Sequence, residues 1–183
     1  QFAVMGSIVA QAIGGIEQPR IGLLNVGEEE IKGNLQVKET ADLLSNHSEL
    51  NYIGYVEGDA IFSGDFDVIV CDGFVGNIAL KTCEGLAKLV GRFVKDTINK
   101  DLVSRIASVP AAPLLRSLGK RLDPRRRNGA TFVGLNGIVI KSHGGADMLA
   151  FISAIEQAML EIEKNVPQRI RDQVQMTMKI QED

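Results

Sequence analysis

Apolar residues recur at helical spacing from Phe2 through Val4, Met5, Ile8, Val9 and Ile13, and the pattern stops at Gly14-Gly15. This predicts an amphipathic helix closed by glycine. After Pro19 the period changes. Ile21 to Leu24 is a short unbroken apolar run ending in Asn25-Val26-Gly27, which predicts a buried strand and a turn. Residues 28–34 are charged and contain glycine, hence a loop, and helical spacing returns from Leu35 to Leu44. Asn51 to Val56 predicts a second strand, and Ile61-Phe62 is too short to assign. The run from Asp67 to Cys71 (DVIVC) is β-branched and uninterrupted, so it is expected to be the best strand and buried on both faces.

A long helix is predicted from Ile78 to about Ile98, then two amphipathic helical pieces over Leu102–Leu122 broken at Pro110 and Pro113. Thr131–Leu135 and Ile138–Ile140 read as strands joined at Asn136-Gly137, a local antiparallel hairpin. Ala146–Glu163 is a helix expected to end at Pro167, and a polar helix from Gln168 finishes the chain. Strands alternating with helices predict an α/β layered fold with a largely parallel sheet, interrupted by a helical excursion. The pattern is already apolar at Phe2 and the first residue is Gln1, so a preceding segment is expected.

Composition adds a bound and a charge asymmetry. The chain has 183 residues, 45% of them hydrophobic and 23% charged, enough for a real core and against disorder. The stretch from Leu102 to Arg127 holds seven basic residues against the single acid Asp123. It is net +6 in a chain of formal charge −3, so the remainder is net −9. Two cysteines, Cys71 and Cys83, and two histidines have no metal-site spacing, and a reducing, cytoplasmic setting fits them. No apolar run is long enough to span a membrane.

Ligands of open α/β sheets bind at the carboxyl ends of the strands. Three glycine-bearing loops follow strands here: Asn25–Asn34 (NVGEEEIKGN), Asp72–Asn77 (DGFVGN) and Lys141–Asp147 (KSHGGAD). DGFVGN opens the longest helix, where free N–H groups suit a phosphate, and it matches neither the dinucleotide fingerprint nor the Walker A loop. The competing reading makes Asp72 or Asn77 a simple helix cap. In the first loop Lys32 could neutralise phosphate or a developing oxyanion. Alternatively the loop is a solvated charged segment with Asn34 capping the next helix, and its three acids could hold Lys32 or point away. His143 could be a general base, an oxyanion donor or a structural hydrogen-bonder. His47, near a helix end, is expected to be exposed. Cys71 could be a nucleophile or, more simply, a buried inert thiol.

The stretches Ile21–Asn34, Cys71–Gly85 (CDGFVGNIALKTCEG), Asn128–Gly144 (NGATFVGLNGIVIKSHG) and Ala146-Asp147 resemble the bacterial phosphate acyltransferases that convert acyl-acyl-carrier protein to acyl phosphate. The resemblance covers essentially the whole chain, as the C-terminal part of one acyltransferase domain nearly twice this length. It implies a three-layer α/β/α sandwich with a mostly parallel sheet, similar to isocitrate and isopropylmalate dehydrogenases and to phosphotransacetylases. It implies catalytic roles for Lys32 and Asn77, and phosphate or substrate contacts at Asn25, Gly27, Asn34, Asp72, Gly73, Gly76 and His143. It implies no organic cofactor and no metal. The implied partners are acyl-acyl-carrier protein, inorganic phosphate, a second copy of the chain, an anionic membrane at the inner face of the plasma membrane and a glycerol-3-phosphate acyltransferase, with no nucleic acid.

The basic excursion over residues 102–127 has three readings: a membrane-interface element, a docking site for the acidic carrier protein, or a helical hairpin packing on a dimer mate. Leu114, Leu115, Leu118, Arg116, Lys120 and Arg121 are its candidate contact residues, and family members are similar in using such a projection for dimer and peripheral membrane contacts. Three other functions compete: a coenzyme A-dependent phosphate acetyl- or butyryltransferase, a nucleotide-binding dehydrogenase, and a non-catalytic membrane module.

Overall fold

The computed structural model describes residues 1–180 other than 122, 124, 126 and 127, and the side chains of residues 107, 118, 120, 121 and 178–180 fall outside that description. Helix α1 (Phe2–Gly14) ends where the pattern puts its end: Gly15 turns to φ +68° and returns its N–H to the carbonyl of Gln11 at 3.2 Å. Strand β1 (Ile21–Leu24) pairs in parallel with both β2 (Tyr52–Val56) and β3 (Val68–Val70), so the sheet order is β2-β1-β3. Helix α2 (Leu35–Ser45) links β1 to β2, and a 3₁₀ turn over Gly58–Phe62 occupies the stretch that resisted assignment. The fold is mixed α/β with a mostly parallel sheet, as the alternation predicts.

The strand expected to be most buried is not. That place belongs to β1, where Ile21 is fully inaccessible and Leu23 is 3% exposed, whereas every residue of β3 is half-buried. Among the described residues β1 has a hydrogen-bonded neighbour on each side and β3 has one. Ile21 and Leu23 share one face of the strand and bury against Ala3 of α1 and Ala41 and Leu44 of α2. A Cβ at Gly22 would stand 2.5 Å from Cδ1 of the Phe66 ring and 3.1 Å from a Val56 methyl, so the other face has no room for one.

An ion pair fixes the entry to the sheet. The Arg20 guanidinium donates through Nε to Asp67 Oδ2 at 2.9 Å and through Nη2 to Oδ1 at 3.0 Å and to the Gly64 carbonyl at 2.8 Å. The backbone N–H of Arg20 reaches the same carboxylate at 2.8 Å. Arg20 directly precedes β1 and Asp67 directly precedes β3, so the clamp sets their register before the ladder begins. These bonds hold the Asp67 carboxyl well below its ordinary value, at about 2.

A second cluster joins the chain ends of this unit. Met5, Ile8 and Ala12 of α1 pack against Val166 and Ile170 of α7 (Val166–Ile180). Helix α6 (Met148–Glu163) stops before Asn165, which takes φ +51°, and Pro167 lies in the first turn of α7 rather than ending α6. A proline costs nothing there because that N–H has no helical partner. Strands β4 (Ala130–Thr131) and β5 (Ile140–Lys141) are antiparallel, as expected, but only two residues long. Asn136-Gly137 falls inside a wider connection because Val133 leaves the ladder for the α1–α7 cluster. His47 is not the exposed residue expected: it is half-buried, with Nε2 3.3 Å from the Thr177 hydroxyl and Nδ1 buried without a partner.

Residues 1–71 and 128–183 form one compact unit, and residues 72–127 form a second. The second begins with α3 (Gly73–Asn99), which starts five residues before the periodicity does because the Asp72 carboxylate accepts from the N–H groups of Phe74 (2.8 Å) and Val75 (3.3 Å). Helices α4 (Leu102–Ala107) and α5 (Ala112–Arg121) follow. Pro110 separates them, whereas Pro113 sits in the first turn of α5. Leu114 and Arg116 are exposed and Leu115 is half-buried; the side chains of Leu118, Lys120 and Arg121 lie outside the described residues.

The Asp67 clamp has a measurable consequence. A carboxyl whose folded-state value is depressed stabilises the fold above its unfolded value of about 4 and loses that contribution as pH falls toward about 2. The urea midpoint of the protein is expected to fall through this window, and Asp67→Asn is expected to start from a lower midpoint at pH 6 and flatten the fall. Parallel profiles for the two proteins would remove the clamp from the stability argument.

Candidate functional site

The first loop leaves β1 at its carboxyl end, and one buried side chain organises it. Asn25 is 8% exposed; its N–H bonds to the Val56 carbonyl at 2.9 Å, continuing the sheet. Its side-chain amide donates to the carbonyls of Gly27 (3.0 Å) and Lys32 (3.4 Å), so both of its N–H bonds are spent on the loop itself. Gly33 completes the curl at φ +89°, and a Cβ there would collide with Asn25 Oδ1. Asn34 then caps α2 by accepting from the Val37 N–H at 2.9 Å. Asn25 and Asn34 are thus placed as brace and cap. Gly27 is buried beneath the Lys32 side chain, where any larger residue would meet Lys32 and Glu29.

Lys32 is exposed, and its ammonium lies 2.7 Å from Glu29 Oε2. The hydrogen bond between them raises the Lys32 value and lowers that of Glu29, so both are charged at neutral pH. Of the three acids in the loop, Glu29 holds the lysine while Glu28 and Glu30 are exposed. The loop therefore offers a fixed cation on a rigid backbone, at the sheet edge where α/β folds place ligands.

The third loop is anchored by a residue that spacing did not single out. Asn128 donates to the Ser142 hydroxyl (2.7 Å) and the Ala150 carbonyl (2.8 Å), and its Oδ1 accepts from the His143 N–H at 2.9 Å. It ties the segment before β4 to the loop after β5 and to the first turn of α6. Asp147 caps that helix through the Ala150 N–H at 3.0 Å. His143 is exposed, and its Nδ1 accepts from the Gly145 N–H at 3.1 Å. An Nδ1 that accepts leaves the proton of the neutral ring on Nε2, so the ring presents a donor outward. Nearby, buried Glu161 accepts from the Thr131 hydroxyl and from Gln157 at 3.0 Å, pinning β4 to α6. Asn128 opens one of the stretches that carry the family resemblance, but its bracing role, like that of Glu161, is visible only in the tertiary contacts.

In the second unit Asp72 caps α3 as described. Gly73, Gly76 and Asn77 form its first turn, with Gly73 and Asn77 exposed and the Gly76 N–H bonded to the Asp72 carbonyl at 2.8 Å. Cys71 is half-buried, and neither cysteine is in a disulfide. Among the described residues no cluster of three or more His, Cys, Asp or Glu side chains is placed to hold a metal ion, and no helix is long and apolar enough to cross a membrane.

A family model described as "Fatty acid synthesis protein" matches residues 1–169. The chain is 56% identical over 182 residues to a phosphate acyltransferase of Alkalilimnicola ehrlichii, covering 100% of this chain and 53% of that protein. It is 57% identical over 174 residues to a phosphate acyltransferase of Legionella pneumophila (95% and 51%), and 52% identical over 179 residues to one of Coxiella burnetii (98% and 52%). The chain spans about half the length of the curated relatives it matches.

The brace at Asn25 is directly testable. Asn25→Ala leaves two loop carbonyls without their donor and is expected to destabilise the fold by about 1–3 kcal/mol, read from urea denaturation. A loss below about 0.5 kcal/mol, within the range of an ordinary surface substitution, would show that the loop holds its shape without it.

Proposed function

The chain belongs to the fatty acid synthesis protein family, and from that premise we propose that it carries the phosphate- and carbonyl-binding part of an acyl-acyl-carrier-protein:phosphate acyltransferase. The observation that carries the reading is Lys32, held at the carboxyl end of β1 by the buried Asn25 brace, in a chain 52–57% identical to proteins named phosphate acyltransferase. The three-layer sandwich of the isocitrate dehydrogenase kind is part of the same reading, supported by the parallel sheet. So is membership of the chain in a single, longer acyltransferase domain.

The reaction needs little from the protein besides position and charge. Inorganic phosphate is already an anion at neutral pH. One of its oxygens attacks the thioester carbonyl carbon; a C–O bond forms, the C–S bond breaks, and the carrier's thiolate leaves and takes up a proton. Lys32 and Asn77 are the proposed catalytic residues: an ammonium of this kind neutralises phosphate or a developing oxyanion, and an amide donates to phosphate or to the thioester carbonyl. The N–H of Gly73, at the start of α3, is a further proposed donor; those of Phe74, Val75 and Gly76 are already bonded to Asp72. His143 contributes a donor from Nε2 rather than a base from Nδ1, since Nδ1 is occupied. Holding phosphate and thioester together supplies much of the acceleration. No strong base is required, and none of the three loops supplies a nucleophile–base–acid chain.

In this reading the whole protein works as a homodimer at the cytoplasmic side, supplying a glycerol-3-phosphate acyltransferase, and the basic projection contacts a dimer mate or an anionic membrane. Exposed Leu114 and Arg116 support an interfacial role for that segment.

The full-length enzyme with long-chain acyl-carrier protein should form acyl phosphate only when phosphate is present. Lys32→Ala and Asn77→Ala are each expected to lower the rate about 10²-fold or more, by analogy with removed oxyanion donors; near-normal turnover in both would sink the assignment. Co-sedimentation with anionic vesicles separates the roles of the projection. Leu114→Glu with Leu115→Glu should abolish vesicle binding if the segment meets lipid, and change only the sedimentation mass if it meets a second copy.

A further inference from the structure

Helix α3 carries more than the turn that holds Asn77. Its 27 residues present two different faces. Leu86, Val90, Phe93 and Val94 lie on one. On the other, Asn77 is followed by Lys81, Lys88, Arg92 and Lys95, at intervals of four, seven, four and three residues, which keep them on a common stripe of a 3.6-residue helix. Lys88, Arg92 and Lys95 are exposed and, with Gly85 and Gly91, line an open groove on the helix surface. Lys81 is neutralised by Glu84 at 2.9 Å. From Gly85 to Lys100 the segment holds four basic residues and one acid, Asp96.

The glycines make this more than a solvated basic stripe. Glycine is the most costly residue after proline in a helix interior, and a Cβ at Gly85 or Gly91 would meet no atom within 4 Å. Packing inside the described residues therefore gives no reason for either. A body seated closely against the helix would, and the flanking charges favour an acidic one.

We propose that this face of α3 is the docking surface for the acidic carrier protein whose thioester is the substrate. The inference rests on the acyl-phosphate reading above. Distance supports it. At 1.5 Å per residue, Lys88 lies about 16 Å along the axis from Asn77 and Lys95 about 27 Å. A phosphopantetheine arm is about as long as five or six extended residues and so spans roughly 20 Å. A carrier seated over Lys88–Lys95 holds its arm's root about one arm's length from Asn77, on the same side of the helix. The row of cations then serves capture and orientation, while the chemistry stays at the helix N-terminus.

The test uses the full-length protein in three forms: wild type, the triple variant Lys88→Glu, Arg92→Glu, Lys95→Glu, and Gly91→Leu, which keeps every charge and fills the groove. Each is assayed with long-chain acyl-carrier protein and with the same acyl group on N-acetylcysteamine, and carrier binding is followed by surface plasmon resonance. The triple variant is expected to lose about ten-fold or more in kcat/KM for acyl-carrier protein, through KM, together with the salt sensitivity of carrier binding. Gly91→Leu should weaken carrier binding without changing its salt dependence. Turnover of the small thioester should stay within about two-fold in both, because it needs no docking. Carrier KM and Kd unchanged within about two-fold in both variants would overturn the proposal. So would a triple variant that loses binding only to phosphatidylglycerol vesicles, which would assign the face to a membrane. If wild type makes no acyl phosphate from either donor, the acyl-phosphate reading fails; the binding arm then decides the surface by itself, and a wild type that does not bind carrier protein overturns it too.

Discussion

The structure depends on β1 being flanked on both sides. A parallel strand with a neighbour at each edge has all its backbone groups committed, and it can bury a side chain completely. Ile21 and Leu23 use that position to collect α1 and α2 onto one face, while the Phe66 ring fills the space left by Gly22 on the other. The Arg20–Asp67 pair sets β1 against β3 before the first ladder bond. The pair is partly exposed, so its value lies more in register than in strength. A slip of one residue would turn Ile21 and Leu23 away from the helices. It would also move Asn25, and with it the loop that holds Lys32.

The Lys32 loop is thus an extension of the sheet rather than an appendage. Asn25 belongs to the ladder through its N–H and to the loop through its amide. A buried polar side chain with all donors satisfied adds rigidity that an apolar one could not, because each bond fixes a direction. Asn128 does for the His143 loop what Asn25 does for the Lys32 loop: one amide, three bonds, two segments distant in the chain. Both loops are anchored by asparagine rather than by charge, which keeps the local field under the control of the few residues that face outward.

Much of this was legible in the chain because local chemistry decided it. β1 was placed to the residue by its apolar run and the turn after it, and α1 by its periodicity and Gly15. Asn34 and Asp72 were legible as caps because a cap is a short-range bond. What escaped was set by partners far away in sequence. The burial rank of β1 over β3 depends on sheet order, which no window of residues contains. The short β4–β5 ladder depends on Val133 being drawn to α1 and α7. Pro167 was read as a terminator because a proline suits the end of one helix and the first turn of the next equally well. The half-buried His47 depends on Thr177, 130 residues away. The loops themselves stood out, but which of their asparagines braces and which residue faces solvent is a tertiary fact.

The remaining tension is the company Lys32 keeps. Three acids beside a proposed anion site would defeat it if they were fixed around the lysine and desolvated. They are not. Among the described residues Glu29 is the acid paired with the ammonium, and that pair is exposed to water at both ends. An exposed pair is held weakly enough to be exchanged, and a phosphate dianion carries more charge than the carboxylate it would replace. Until then Glu29 holds the ammonium over Gly27, whose missing side chain makes room for the lysine stem. On the proposed function the carboxylate serves as a placeholder: it sets the position of the cation and yields to a better anion. The backbone beneath is held separately from that carboxylate, by the Asn25 amide and by the Lys32 N–H on the Glu29 carbonyl. The acids and the lysine are then parts of one device rather than contradictory signals, and the glycine and asparagine around them are what allow it to work.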